Sequence, residues 1–248
     1  MGYETGLEYS GLGQLCVWRD DTLRSAALNM AIDEVLTRQI GDGGGQRPLL
    51  RFYDWERPAV SIGYFQKWHE TVDPAEIGEL DLVRRWTGGG RVDHRQDWTY
   101  TLVAPREHEF FQFKPLASYQ WVHRHVASAL ERIGAEAALT ETENTFLPGG
   151  KSSPNCFDSP VRFDVVNEEG GKLAGAAQRR TRWGLLHQGS VAVNGLAEGQ
   201  KDWEMTLADL LSGRDGTVVN WQVPPDLLVQ AAELAEEKYA SQSWLEKF

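Results

Sequence analysis

Apolar positions along the chain switch between the period of a helix and that of a strand. Leu15 to Arg19 reads as a short strand, after which Ser25 to Ile40 sets Leu28, Ile32, Val35 and Leu36 at helical spacing. Gly41 to Gly45 ends that helix. Leu49–Tyr53 and Ala59–Tyr64 are strand-like and separated by a turn at Glu56, Arg57 and Pro58. Asp73 as N-cap with Pro74 at the first helical position predicts a helix start. Leu82–Trp86 and Asp97–Ala104 predict strands on either side of Gly88-Gly89-Gly90, and Leu116–Ile133 a helix capped by Gly134. Val161–Asn167 and Gly184–Val193 are strand-like and flank GGKLAGAAQRR. Pro225–Leu245 carries a helical stripe through Leu227, Leu228, Ala231, Leu234, Ala235 and Tyr239.

Helices and strands interleave irregularly. That order predicts an α+β fold, a central mixed β-sheet flanked by helices, rather than a strictly alternating barrel. No repeat, low-complexity tract or linker breaks the pattern, so residues 1–248 are expected to form one domain. Hydrophobic residues at 41% and charged residues at 25% are ordinary globular values. No apolar run is long enough to span a membrane. The first ten residues, MGYETGLEYS, lack the basic and apolar regions of an export signal. Cys16 and Cys156 lie far apart and outside any CxxC pair, which argues against a zinc cluster or disulfide framework and for free thiols in a reducing cytoplasm. A net charge of -11 repels nucleic acid. Arginines at 84, 85, 91 and 95, and at 179, 180 and 182, form local basic clusters where an acidic carrier protein could still approach.

Three segments carry candidate chemistry. In Arg84-Arg85-Trp86-Thr87-Gly88-Gly89-Gly90, two cations stand beside backbone without side chains, so main-chain N–H groups can approach an anion or a thioester carbonyl. The loop lies between two strands, which is neither a dinucleotide-binding nor a P-loop setting; a plain hairpin with surface arginines is the alternative. Lys172 is the one cation in the small, uncharged run Gly170–Gln178. Buried, it would stabilise an oxyanion; exposed, it is a hairpin lysine. Cys156, in the turn-rich SPNCFDSP, is either a reachable nucleophile or an inert small side chain. His94 and His187 are candidates for proton transfer or ligand positioning. His123 and His125, two apart on a helix, cannot share a metal, and no metal-ligand spacing occurs elsewhere.

Taken together, RRWTGGGRVDH at 84–94, CFDSP at 156–160, GGKLAGAAQRR at 170–180 and LLHQGS at 185–190 resemble the lipoate/octanoate transferase and lipoate-protein ligase family. The resemblance implies a catalytic domain like that of biotin and lipoate protein ligases, with the glycine loop over the mouth of an acyl tunnel. By the same resemblance Lys172 contacts the acyl carbonyl or an adenylate phosphate. Arg84, Arg85, Thr87, Gly88, Gly89, Gly90 and His94 embrace the ligand, Gly175 and Ala177 form the tunnel wall, and His187 lies in the LLHQGS strand.

The family's branches differ in chemistry. Transferases take octanoate from acyl carrier protein through a cysteine thioester and need no cofactor, whereas ligases activate free lipoate with ATP and Mg2+. Cys156 matches the nucleophile position of the cysteine-dependent octanoyltransferases, which favours transfer to a lysine on the lipoyl domain of a 2-oxoacid dehydrogenase E2 or on the glycine-cleavage H protein. The triple glycine, where transferases tend to read GGRA, resembles the ligases, and Asp93 and Arg95 beside His94 depart from the usual pattern.

Overall fold

The computed structural model describes residues 9–41, 47–73, 75, 78–141, 160–192 and 199–248. Two strands, β1 (Gln14–Arg24) and β2 (Leu49–Trp55), run parallel and are joined by helix α1 (Ala26–Gln39). Ser25 starts α1 because its hydroxyl accepts from the Leu28 amide, satisfying one of the donors that a helix N-terminus leaves open. A small sheet follows, built from β3 (Ala59–Ile62), β4 (Asp81–Arg84) and β5 (Val92–Asp93), with the short helix α2 (Trp68–Thr71) in its crossover. The chain then returns to the main sheet as β6 (Asp97–Pro105) and passes through a short 3-10 turn at Glu109–Gln112 into helix α3 (Pro115–Arg132).

Beyond α3 come β7 (Ala138–Leu139), β8 (Val165–Val166), β9 (Lys172–Arg180), β10 (Gly184–Ala192), α4 (Gln200–Ser212), β11 (Thr217–Asn220), α5 (Pro225–Leu234) and α6 (Gln242–Leu245). Among the described residues the main sheet has eight strands in the order β11-β1-β2-β6-β10-β9-β8-β7. β1 is parallel to β2 and β11, and the remaining pairs are antiparallel, so the sheet is mixed, as the interleaved pattern predicts.

Alternation along the strands divides the core in two. Leu185 and Val191 of β10, with Tyr100 and Leu102 of β6, face Trp121, Val122 and Val126 of α3 and Trp203, Leu207 and Leu211 of α4. Leu186 and Val103 point the other way, into Ile32, Val35 and Leu36 of α1 and Leu227 and Ala231 of α5. The site described below opens on this second face.

Several expectations are corrected in detail. Lys172–Arg180 of GGKLAGAAQRR, flanked by the predicted strands, is itself the nine-residue strand β9; pairing to β10 on one side and β8 on the other overrides the weak strand preference of small residues. Of Val161–Asn167 only Val165 and Val166 are strand. The Pro225–Leu245 helix is interrupted: a π-helical turn at Ala235–Tyr239 separates α5 from α6, which Ser241 caps. Near Asp73 the carboxylate accepts from the Ala75 amide, but Pro74 and Glu76 lie outside the described residues. Gly134 does close α3, with a left-handed φ of 89°.

Candidate active site

A narrow cavity separates the small sheet from the second face of the main sheet. Its walls come from Ser61 of β3, Arg85 and Gly89 of the glycine loop, His94, Lys172 and Gly175 of β9, and Gln188 and Ser190 of β10. Gly175 and Ala177 stand opposite Ser190 and Gln188 in the β9–β10 ladder, so all four share the face that looks into the cavity.

Lys172 is buried at this wall. Its Nζ is 2.7 Å from Asp164 Oδ2, and both side chains are withdrawn from solvent. Gly175 makes room for it: a Cβ there would lie 2.3 Å from Lys172 Cε. Asp164 is held in turn by the Tyr119 hydroxyl at 2.5 Å and the Val161 amide at 2.8 Å. The buried-cation alternative is therefore the one that the chain adopts.

The glycine loop is shaped from within. Arg85 Nη2 donates to the Gly88 and Gly90 carbonyls at 3.0 and 2.7 Å, while Nη1 donates to the backbone carbonyl and hydroxyl of Ser61 at 2.9 and 2.7 Å. One guanidinium thus ties the loop to β3. The backbone pass is too close for a side chain, since a Cβ on Gly63 would lie 1.9 Å from the Gly89 carbonyl oxygen, and Gly89 itself has φ +85°. Thr87 anchors the other side by donating to Gln188 Oε1 at 2.7 Å, and Gln188 Nε2 donates to Asp33 Oδ2 at 2.7 Å. Burial pushes the Asp33 carboxyl up, while the Arg51 guanidinium at 2.9 Å and donors from Thr101 and Gln188 oppose the shift. The loop is therefore coupled through two side chains to a buried ionic cluster under α1.

His94 is fixed on three sides. Its Nε2 is 2.6 Å from Ser61 Oγ, its Nδ1 is 2.7 Å from Asp97 Oδ2, and its ring stacks on Trp55 with centroids 4.1 Å apart. Asp97 Oδ2 also accepts from Ser190 at 2.5 Å and Thr99 at 3.2 Å. A buried cation, a loop of close-packed glycines and an oriented imidazole around one cavity form an arrangement suited to stabilising charge at a carbonyl and moving protons.

Residues 25–204 match the family described as the lipoyl protein ligase A/B catalytic domain. The chain belongs to that family. Octanoyltransferase LipM of Carboxydothermus hydrogenoformans is 36% identical over 180 residues, 71% of this chain. That match spans 65% of the relative's length, just under two thirds. A T. acidophilum protein solved with bound lipoic acid shares the fold, with a TM-score of 0.74 at 21% identity over 95% of this chain and 99% of that one. A bi-partite lipoate protein ligase from Thermoplasma acidophilum, described together with its E2 lipoyl domain, gives 0.71 at 20% identity over 95% and 97%.

Within the family frame, the expected site residues separate into three groups. Arg85, Gly89, His94, Lys172, Gly175 and Ala177 line the cavity, and Thr87, Gly88 and Gly90 complete the loop beside it. Two expectations are corrected. Arg84 is turned away from the cavity, because its guanidinium donates to the carbonyls of Gly63, Tyr64, Gln66, Trp244 and Leu245 and so clamps the end of the chain. His187 points through the opposite face of β10, between Tyr100 at 3.2 Å and Gln178 at 2.9 Å, and burial holds its imidazole well below the usual histidine range. Cys156 lies outside the described residues.

Sequence reasoning missed Ser61, Asp97, Asp164 and Gln188. Ser61 is the single hydroxyl in an otherwise apolar strand, and Asp97 follows His94 by three residues, so both left a local trace. Gln188 lies within the LLHQGS motif but its role shows only across the fold, and Asp164 left no trace, since its partners Lys172 and Tyr119 are distant in sequence.

Proposed function

We propose that the chain is a protein octanoyltransferase, which moves an octanoyl group from acyl carrier protein to a lysine of an E2 lipoyl domain or glycine-cleavage H protein in a reducing cytoplasm. The observation that carries this reading is the 36% identity to the C. hydrogenoformans octanoyltransferase. In this mechanism the Cys156 thiolate attacks the donor thioester carbonyl, the carrier's sulfur leaves, and an acyl-enzyme results. Lys172 and the amides of the glycine loop stabilise the oxyanion. The acceptor amine then attacks the acyl-enzyme, forming the amide and returning the thiol. Met30 lines the cavity, and as an unbranched, adaptable side chain it is suited to packing against an octanoyl chain.

A second reading, an ATP- and Mg2+-dependent lipoate ligase, is favoured by the triple glycine at 88–90. Intact-mass spectrometry of the protein and of Cys156→Ala, after incubation with octanoyl-acyl carrier protein and no ATP, separates the two. A hydroxylamine-labile adduct on the wild type alone supports the transferase. Acceptor acylation that requires ATP and free lipoate, with no adduct, supports the ligase and makes Cys156 a bystander.

A further inference from the structure

The aminolysis step has a requirement that the groups named so far do not meet. A lysine side chain at neutral pH is an ammonium, and it attacks only after losing a proton. Lys172 meets the cavity as one half of an ion pair with Asp164, which places its charge to stabilise a developing oxyanion. We infer that Ser61, His94 and Asp97 form a proton relay that deprotonates the acceptor lysine during transfer. The inference rests on the acyl-transfer reading, in either its thioester or its adenylate form.

The hydrogen-bond order along the three residues is determined by their chemistry. As a carboxylate Asp97 only accepts, and its Oδ2 takes hydrogen bonds from Ser190 Oγ, Thr99 Oγ1 and His94 Nδ1. Nδ1 therefore carries the imidazole hydrogen, and Nε2 presents its lone pair. The atom facing that lone pair, 2.6 Å away, is Ser61 Oγ, so the serine donates to the histidine. Arg85 Nη1 donates to the same oxygen from 2.7 Å, which occupies one lone pair and favours negative charge on it. The second lone pair of Ser61 Oγ remains for a hydrogen from substrate. Trp55 stacks on the ring and donates from its indole to Thr99 Oγ1 at 2.9 Å, so imidazole and carboxylate are held from both ends. Ser61 and His94 are buried, and both line the cavity that contains Lys172. The order matches the logic of a serine–histidine–aspartate triad, in which the carboxylate fixes the tautomer and faces the imidazolium as it forms. Here the serine conducts a proton and forms no bond to the acyl group.

An ammonium hydrogen moves to Ser61 Oγ as the serine's own hydrogen moves to His94 Nε2, leaving a neutral amine and an imidazolium opposite Asp97. The amine lone pair attacks the acyl carbon, the C–N bond forms, and the C–S bond breaks with its electron pair on sulfur (or C–O on phosphate, if the donor is an adenylate). The nitrogen sheds a second proton as the amide forms. Of the two, one ends on the leaving group and one in solvent, and His94 returns to its neutral form.

The test compares two nucleophiles under single-turnover conditions, using the full-length protein and whichever donor it accepts, octanoyl-acyl carrier protein or lipoate with ATP and Mg2+. The lysine of an acceptor lipoyl domain needs the relay. Hydroxylamine is largely unprotonated at neutral pH and does not. His94→Gln is expected to slow lysine transfer by about 10²–10⁴-fold, with hydroxylamine capture changing by less than about tenfold. Ser61→Ala and Asp97→Asn are expected to show the same selectivity, and they decide the matter if His94→Gln does not fold. Equal losses with both nucleophiles, or no loss with lysine, overturn the relay. A wild type that acylates neither nucleophile from either donor instead overturns the acyl-transfer reading, and the relay with it.

Discussion

Lys172 Nζ and Asp164 Oδ2 stand 2.7 Å apart with both side chains at or below 1% exposure. A pair this dry stabilises little in itself, because desolvation of the two charges offsets most of their attraction, but removing one charge leaves the other buried without its counter-ion in this pair. Asp164→Asn is therefore expected to destabilise the fold by about 3–5 kcal/mol in urea unfolding and to abolish acyl transfer. Adding Lys172→Met should restore most of the stability and none of the activity. If Asp164→Asn unfolds at the wild-type midpoint, the ammonium has another place to go and the assigned geometry is wrong.

Two glycines of the same ladder region should lose different properties to one methyl group. At Gly189 a Cβ would lie 2.2 Å from Tyr100 Cε1, on a ring held between His187 and Trp203. That ring cannot move aside, so Gly189→Ala should lower stability by about 1–3 kcal/mol. At Gly175 the obstacle is the flexible end of Lys172, with Nζ 2.4 Å away. The lysine can yield, but only by leaving Asp164. Gly175→Ala should thus lose a larger share of transfer rate than of stability, and a comparison of kcat with the urea midpoint for both variants shows whether the ranking is right.

α1 and α3 announce themselves by apolar spacing and by caps, Ser25 at one start and Gly134 at one end, because those signals are local. α4 is equally legible through Trp203, Leu207 and Leu211, at intervals of one helical turn. β9 was not legible, since its small residues become a strand only through the ladders on either side. At the site, the glycine loop and Lys172 are visible as motifs. Their partners are not: Gln188 meets Asp33 across 155 residues, and Arg84 finds carbonyls 160 residues ahead. A cation beside glycines therefore suggests a ligand clamp whether it holds a ligand or the chain's own terminus.

Acid should destabilise the protein through its core. His123 is fully buried against Phe163, whose carbonyl accepts from Nδ1 at 2.7 Å, and burial pushes its pKa from 6.5 down to about 4. Because the folded value is depressed, an unfolded chain takes up this proton first as pH falls. The contribution is fully present above about pH 6.5 and is lost progressively toward pH 4. At pH 5 the loss is about 2 kcal/mol for this one group. Urea midpoints at pH 7 and pH 5 should differ accordingly, and His123→Phe should flatten that part of the profile. An unchanged profile in the variant would mean that other groups dominate acid unfolding.

Arg84 supplies the last prediction. Its guanidinium donates to the carbonyls of Gly63, Tyr64 and Gln66 on one side and of Trp244 and Leu245 on the other, and the Trp244 indole donates back to the Arg84 carbonyl at 3.0 Å. A lysine at this position carries three donors on a single nitrogen and cannot serve carbonyls on both sides at once. Buried acceptors left unsatisfied cost about 1–3 kcal/mol each. The loss should fall on the weaker partner, the short α6, and not on the central sheet, where Arg84 makes no hydrogen bond of this kind. Arg84→Lys is therefore expected to expose the chain after Tyr239 to limited proteolysis while the fragment bearing the main sheet stays intact. A secondary fall in transfer rate should accompany it, because Gly63, one of the clamped carbonyls, packs directly under Gly89 of the active-site loop. Mass mapping of the digest decides the point: an unaltered cleavage pattern would place the anchoring of α6 in its aromatic contacts with Tyr64 and Tyr239 instead.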